Sequence, residues 1–299
     1  MPTPSTLLHF RVADIVFAVD YRYTDNPRRL LPAYRKFFLP SYEGAVDMHV
    51  TVAPALVHNE AEGKEMGQFD TGGAVHGVFL LAEGGYKFQL RDLRGNIAAA
   101  VRTDACFSQI EATLTDDDYS RAYGLNNTLM ICFAYCAAYR NTLLMHASVV
   151  ERDGRAYLFL GKSGTGKSTH TQLWIRHLRG SRLLNDDNPA LRVMDDGQVK
   201  VFGTPWSGKT PCYINASRPV GAIVRLEQWK ENIIVRESVV SAFADILTSA
   251  STMMWDKPSY DRICQSCTEV ISRVPVYHLR NLPNEAAVRL SHDTISQSL

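Results

Sequence analysis

Between residues 6 and 101 apolar and polar positions alternate in short runs: LLHFRVADIVFAVDY, then AVDMHVTVAPALV, then VHGVFLLAEGGYKFQLRDLRGNIAAAVR. β-Branched and aromatic residues dominate these runs. Turn signals separate them at Asp25-Asn26-Pro27, Glu83-Gly84-Gly85 and Arg94-Gly95-Asn96, which predicts a mostly antiparallel β region. Helical spacing of apolar residues between Pro27 and Pro40 predicts one short helix there, and the polar stretch 59–73 an exposed loop. The run TDDDYSRAYGLNNTLMICFAYCAAYR opens on acids and is then apolar on all sides. It predicts a buried helix with Asp118 at its N-cap.

Downstream the period shortens again. A strand is expected over 142–150, a turn at Glu151-Arg152-Asp153-Gly154 and a second strand over 155–160, a β-hairpin in place of a βαβ unit. Asp195-Asp196-Gly197 reads as another hairpin turn, and the tail VPVYHLRNLPNEAAVRL as a strand, a turn at Pro283 and a helix capped by Asn284. Together these elements predict an α/β (α+β) chain. A β-rich region with one buried helix near its end occupies 1–140, and a core of mixed sheet with flanking helices occupies 141–299.

Composition narrows the class. The 299 residues are 45% hydrophobic and 21% charged, with 32 basic against 31 acidic side chains, so neither a nucleic-acid footprint nor a disordered charged tail is expected. The longest uncharged stretch, 122–139, contains Gly124, Asn126, Asn127 and Thr128 between Arg121 and Arg140, which argues against a membrane span. The first residues carry no positive leader or small-residue cleavage site, so the expected location is cytoplasmic. The six cysteines are too sparse for a disulfide scaffold. Cys264 and Cys267, on an expected helix with no partner pair, read as packing residues.

The chemistry concentrates in one segment. Gly161-Lys162-Ser163-Gly164-Thr165-Gly166-Lys167-Ser168-Thr169 satisfies the phosphate-loop pattern G-x-x-x-x-G-K-[ST] between an expected strand and an expected helix. Such a loop wraps backbone N–H groups around phosphate oxygens at a helix N-terminus. Lys167 would reach the β- and γ-phosphates, and the Ser168 hydroxyl would face Mg²⁺. After that helix comes Leu183-Leu184-Asn185-Asp186-Asp187, a short strand ending in two acids. In P-loop proteins a strand parallel to and beside the loop strand places a carboxylate at the metal. One acid can then hold the metal, and its neighbour can accept a proton from an attacking hydroxyl.

A second match, Gly203-Thr204-Pro205-Trp206-Ser207-Gly208-Lys209-Thr210, is followed by Pro211 and poor helix formers and is rejected as a nucleotide loop. Lys209 is retained as a candidate substrate contact. Arg225, Arg262 and Arg280 are the candidates for a charge-neutralising arginine.

The order His146-Ala147-Ser148, hairpin, GKSGTGKST, helix, LLNDDNPAL resembles the HPr kinase/phosphorylase family and, more distantly, the phosphoenolpyruvate carboxykinases. The resemblance covers residues 142–194 and extends loosely through GTPWSGKTPCYINASRPVGAIVRLEQWKENII. It implies an HPr kinase/carboxykinase-like P-loop core, with Asp187 as the base that deprotonates the acceptor. It also implies Asp186 and Ser168 near the metal, and His146 and Ser163 shaping the surroundings of the carboxylate. The chain lacks a second motif set for oxaloacetate and the segments that bacterial HPr kinases use for phosphorolysis and docking. Decarboxylation is therefore not expected.

The expected function is an ATP- and Mg²⁺-dependent phosphotransferase acting on a hydroxyl of a protein, peptide or small molecule, with catalytic residues Asp187, His146 and Lys167. Two alternatives stand beside it, a P-loop NTPase switch and a non-catalytic nucleotide-binding module. Neither an N-K-x-D nor an LSGGQ signature is present. Expected partners are a nucleotide, a hydroxyl-bearing acceptor and, as an open option, a second copy in a homo-oligomer, with no nucleic acid and no membrane.

Overall fold

The structure, a computed structural model, describes residues 5–208 and 210–296. The chain divides into two compact units, Met1–Tyr139 and Arg140–Leu299, each built on a large mixed sheet. Among the described residues there are six α-helices, and none is long and apolar enough to cross a membrane.

The first unit opens with β1 (Thr6–Val12) and β2 (Ile15–Tyr21), then α1 (Pro27–Leu30), β3 (Phe38–Leu39) and β4 (Met48–Val52). It continues through β5 (Lys64–Thr71), β6 (Ala74–Leu80), β7 (Tyr86–Arg91), β8 (Ile97–Thr103), β9 (Gln109–Leu114) and α2 (Asp118–Ala138). The sheet order is β3-β1-β2-β4-β9-β8-β7-β6-β5. Most neighbours are antiparallel, but β4 runs parallel to both β2 and β9.

Three expectations change here. The stretch 59–73 is not all loop: β5 pairs antiparallel with β6, because an edge strand with one open side holds its place by backbone bonds and can stay polar. The short helix between Pro27 and Pro40 is two pieces, α1 and a 3₁₀ turn over Pro32–Lys36, since Pro32 has no N–H with which to continue the first. The cap of α2 is Asp117, whose carboxylate accepts from the Ser120 N–H at 2.9 Å, and Asp118 is the first helical residue.

The second unit contains β10 (Thr142–Leu144), β11 (Ala147–Arg152), β12 (Arg155–Leu160), α3 (Lys167–His177), β13 (Arg182–Asp187), β14 (Ala190–Val193) and β15 (Val199–Phe202). After these come β16 (Ser217–Gln228), β17 (Ile233–Arg236), α4 (Val239–Ser249), α5 (Lys257–Ile271), β18 (Val276–Asn281) and α6 (Glu285–Ser296). The path is β10-β14-β15-β16-β12-β11-β13, with β18 also on β16 and β17 on β18. The strand expected over 142–150 is broken at Met145-His146. β10 bonds to β14 and β11 to β12 and β13, and the chain steps between them with the His146 N–H donating to the Ser249 carbonyl at 2.6 Å.

Apolar side chains of β12, β16 and β18 meet α3 and α6 in one core that includes Tyr157, Phe159, Trp174, Val224 and Leu279. Trp174 is fully buried; losing such a ring from a close-packed core costs about 3–5 kcal/mol. This packing fixes the axis of α3, and with it the direction in which the preceding loop opens.

Candidate functional site

Strand β12 ends at Leu160, and residues 161–166 turn the chain into α3. Two glycines are required by geometry. Gly161 has φ +144°, and a Cβ there would lie 2.6 Å from Thr165 Oγ1 and 3.1 Å from the Leu226 carbonyl oxygen. Gly166, at φ +97°, is the left-handed N-cap of α3, a conformation that glycine adopts without steric cost. Within the loop, Thr165 Oγ1 donates to the Lys162 carbonyl at 2.8 Å. Lys162, Ser163 and Gly164 are exposed in the loop, and Thr169 is exposed on the first turn of the helix.

Lys167 is buried. Its Nζ donates to the Gly161 carbonyl at 2.8 Å and to the Lys162 carbonyl at 3.4 Å, so the ammonium sits inside the loop. Burial lowers its pKa, while the nearby charges of Asp187 and Asp186 pull it up.

The two acids end β13. Asp186 is buried, and Ser168 Oγ donates to its Oδ1 at 2.9 Å. Asp187 is about two-fifths exposed, with its Oδ1 3.4 Å from His146 Nε2 and its Oδ2 accepting from Asn188 Nδ2 at 2.9 Å. The expected side-by-side pairing of β13 with the loop strand is not what the fold contains. β11 lies between them, antiparallel to both. At about 4.8 Å per strand the acids stand two strands from the loop. Because β11 runs the other way, its first residues share an edge of the sheet with the last residues of β12 and β13: Ala147 is in register with both Leu160 and Asp187. His146 therefore occupies the gap between loop and acids. Partial burial and the Lys167 charge hold its pKa below that of an ordinary histidine, and Asp187 opposes them.

The second glycine-lysine segment lies here too. Its described residues 203–208 belong to no helix or strand, and residues 210–216 form no helix. Gly208 N donates to the Asp186 carbonyl at 2.6 Å, Ser207 Oγ donates to the same carbonyl at 2.9 Å, and Asp187 forms a bridge with Ser207. Asn185 Nδ2 donates to Thr204 Oγ1 at 3.2 Å and to the Trp206 carbonyl at 3.3 Å. Thr204 Oγ1 donates to the Asn188 carbonyl at 2.6 Å. The segment is thus a shelf that braces both acids, a role that rejecting the motif had missed. The pattern match at 203–210 was the one signal that could have found it. Lys209 lies outside the described residues. Of the candidate arginines, Arg225 pairs with Asp245 at 3.4 Å, Arg280 with Glu227 at 3.3 Å, and Arg262 is exposed on α5.

A family model described as SynChlorMet cassette protein ScmC matches residues 110–282, more than half of the chain. The chain belongs to the ScmC family. The ScmC match runs from β9 to just past β18, so His146, the loop, both acids and the shelf all lie within it. No curated protein matches the chain. Among solved structures, the Hpr(Ser) kinase/phosphatase from Coxiella burnetii aligns at 14% identity and a TM-score of 0.30, covering 52% of this chain and 94% of that one.

Proposed function

We propose that this ScmC-family chain is an ATP- and Mg²⁺-dependent phosphotransferase that moves the γ-phosphate to a hydroxyl of a protein, peptide or small molecule. The observation that carries the reading is the convergence of a lysine-filled glycine loop, a hydroxyl–carboxylate pair and a histidine–carboxylate pair on one edge of one sheet.

Lys167, already inside the loop, exchanges its carbonyl partners for β- and γ-phosphate oxygens. The Ser168 hydroxyl and Asp186 carboxylate, 2.9 Å apart, are hard oxygen donors that fit Mg²⁺. Among the described residues no three His, Cys, Asp or Glu side chains converge as a metal cage, and Mg²⁺ needs none, since it keeps several waters and takes phosphate oxygens as ligands. Bound there, it supplies charge neutralisation at the transferring phosphate. Asp187 accepts the proton of the acceptor hydroxyl. His146, its pKa held below the usual histidine value, is a neutral imidazole at pH 7 beside Asp187 and fixes the direction of the carboxylate without adding a proton-bearing charge.

The test is thermal unfolding of wild type, Asp187→Asn and Lys167→Ala with and without ATP·Mg²⁺. At a hundredfold excess over Kd a ligand adds about 2.7 kcal/mol, or about 5–10 °C for a unit of this size. Wild type and Asp187→Asn are expected to shift and Lys167→Ala is not. An absent shift in wild type, or an equal one in Lys167→Ala, overturns the reading.

A further inference from the structure

We propose that Trp229 is the platform on which the base of the bound nucleotide stacks; this rests on the nucleotide reading of the 161–166 loop. Strand order supplies the direction. Across the sheet the sequence is β13, β11, β12, then β16 and β18. A triphosphate held by the loop with its terminal phosphate toward Asp187 extends its nucleoside the opposite way, over the ends of β16 and β18. Both strands run parallel to β12 and finish at the same edge. At about 4.8 Å per strand, the end of β18 lies about 10 Å from the loop.

The rim at that place is braced. Gln228 Nε2 donates to the Gly164 carbonyl at 3.0 Å, which ties the end of β16 to the loop. Trp229 N donates to the Asn281 carbonyl at 3.1 Å. Asn232 Nδ2 donates to Asn284 Oδ1 at 3.0 Å, and Leu282 N to Asn232 Oδ1 at 2.8 Å. On this rim Trp229 is 43% exposed, yet its ring is not loose. The Arg280 guanidinium lies 5.3 Å from the ring centroid, and Arg280 Nε is itself held 3.3 Å from Glu227 Oε2. An indole oriented by a cation that is oriented in turn keeps aromatic surface available next to the loop, which is what a planar base requires.

The experiment measures Kd for ATP·Mg²⁺ and for tripolyphosphate·Mg²⁺, which has no base, on the full chain and its Trp229→Leu, Trp229→Phe and Lys167→Ala variants. Trp229→Leu is expected to weaken ATP on the order of 10-fold and leave tripolyphosphate unchanged, with Trp229→Phe recovering most of the loss. Full ATP affinity in Trp229→Leu, or an equal loss of both ligands, overturns the proposal. So does a wild type that binds both ligands equally, an outcome that leaves the loop reading standing. A wild type that binds neither, or a Lys167→Ala variant that binds both as well as wild type, overturns the loop reading and the stacking proposal together.

Discussion

Replacing Gly208 by alanine is the most selective perturbation the site offers. A Cβ at this position would lie 3.0 Å from Asp187 Cβ and 3.2 Å from its Cγ. These contacts are tighter than ordinary carbon packing at about 3.5–4.0 Å, so one of the two groups must retreat by a few tenths of an ångström. The shelf cannot easily yield, because Gly208 N and Ser207 Oγ are both bonded to the Asp186 carbonyl. The Asp187 carboxylate is then displaced from His146, while the 161–166 loop and Lys167 are untouched. A misplacement near 1 Å costs on the order of 100-fold in a positioned reaction, so a shift of a few tenths costs on the order of 3–10-fold, and overpacking of this mild kind costs about 1 kcal/mol of stability. The assay pairs the Kd for ATP·Mg²⁺ with the single-turnover rate of phosphate release, water standing in for the acceptor. An unchanged Kd with a rate lowered by about 3–10-fold is expected. A folded Gly208→Ala protein with the wild-type rate, or one whose Kd worsens as much as its rate, refutes the reasoning.

Ser168→Ala and Asp186→Asn should each remove most of the Mg²⁺-dependent part of ATP affinity and leave metal-free binding in place; calorimetry with and without Mg²⁺ reads this, and an undiminished Mg²⁺ effect would rule out the pair as the metal's protein ligands. His170, buried on α3 and accepting from Trp174 Nε1 at 3.1 Å, has its pKa pulled down by burial to about 4 from 6.5. The unfolded chain therefore binds more protons between these values, and stability falls as pH drops through that window, by up to about 3 kcal/mol. Urea unfolding from pH 7 to 4 should show the loss, and His170→Leu should remove its share while the share of His76, also pulled down by burial to about 4, remains.

Local signals made the glycine-loop segment legible. The glycine spacing, the Asp153-Gly154 turn and the capping Asn284, whose Oδ1 accepts from Ala287 N at 3.0 Å, are short-range features, and the sequence pattern carries them directly. What it did not carry is pairing across distance. Nothing within the run 147–152 says that it inserts between β12 and β13, so spacing alone did not single out His146. Likewise, Ser207 and Gly208 become neighbours of the acids through chain that is remote in sequence. β5 was hidden because its polar residues stay solvated while its backbone pairs. Trp229 reads as one more apolar residue until the rim around it is built.

The backbone at Asp187 has φ +119°, a region that side chains larger than glycine enter at a cost of about 1–3 kcal/mol. Glycine would relax this position, so a chain refined for thermal endurance alone would drift away from aspartate there. Engineering this chain for robustness therefore meets a limit at residue 187, where the exchange that relaxes the backbone is also one that deletes the carboxylate.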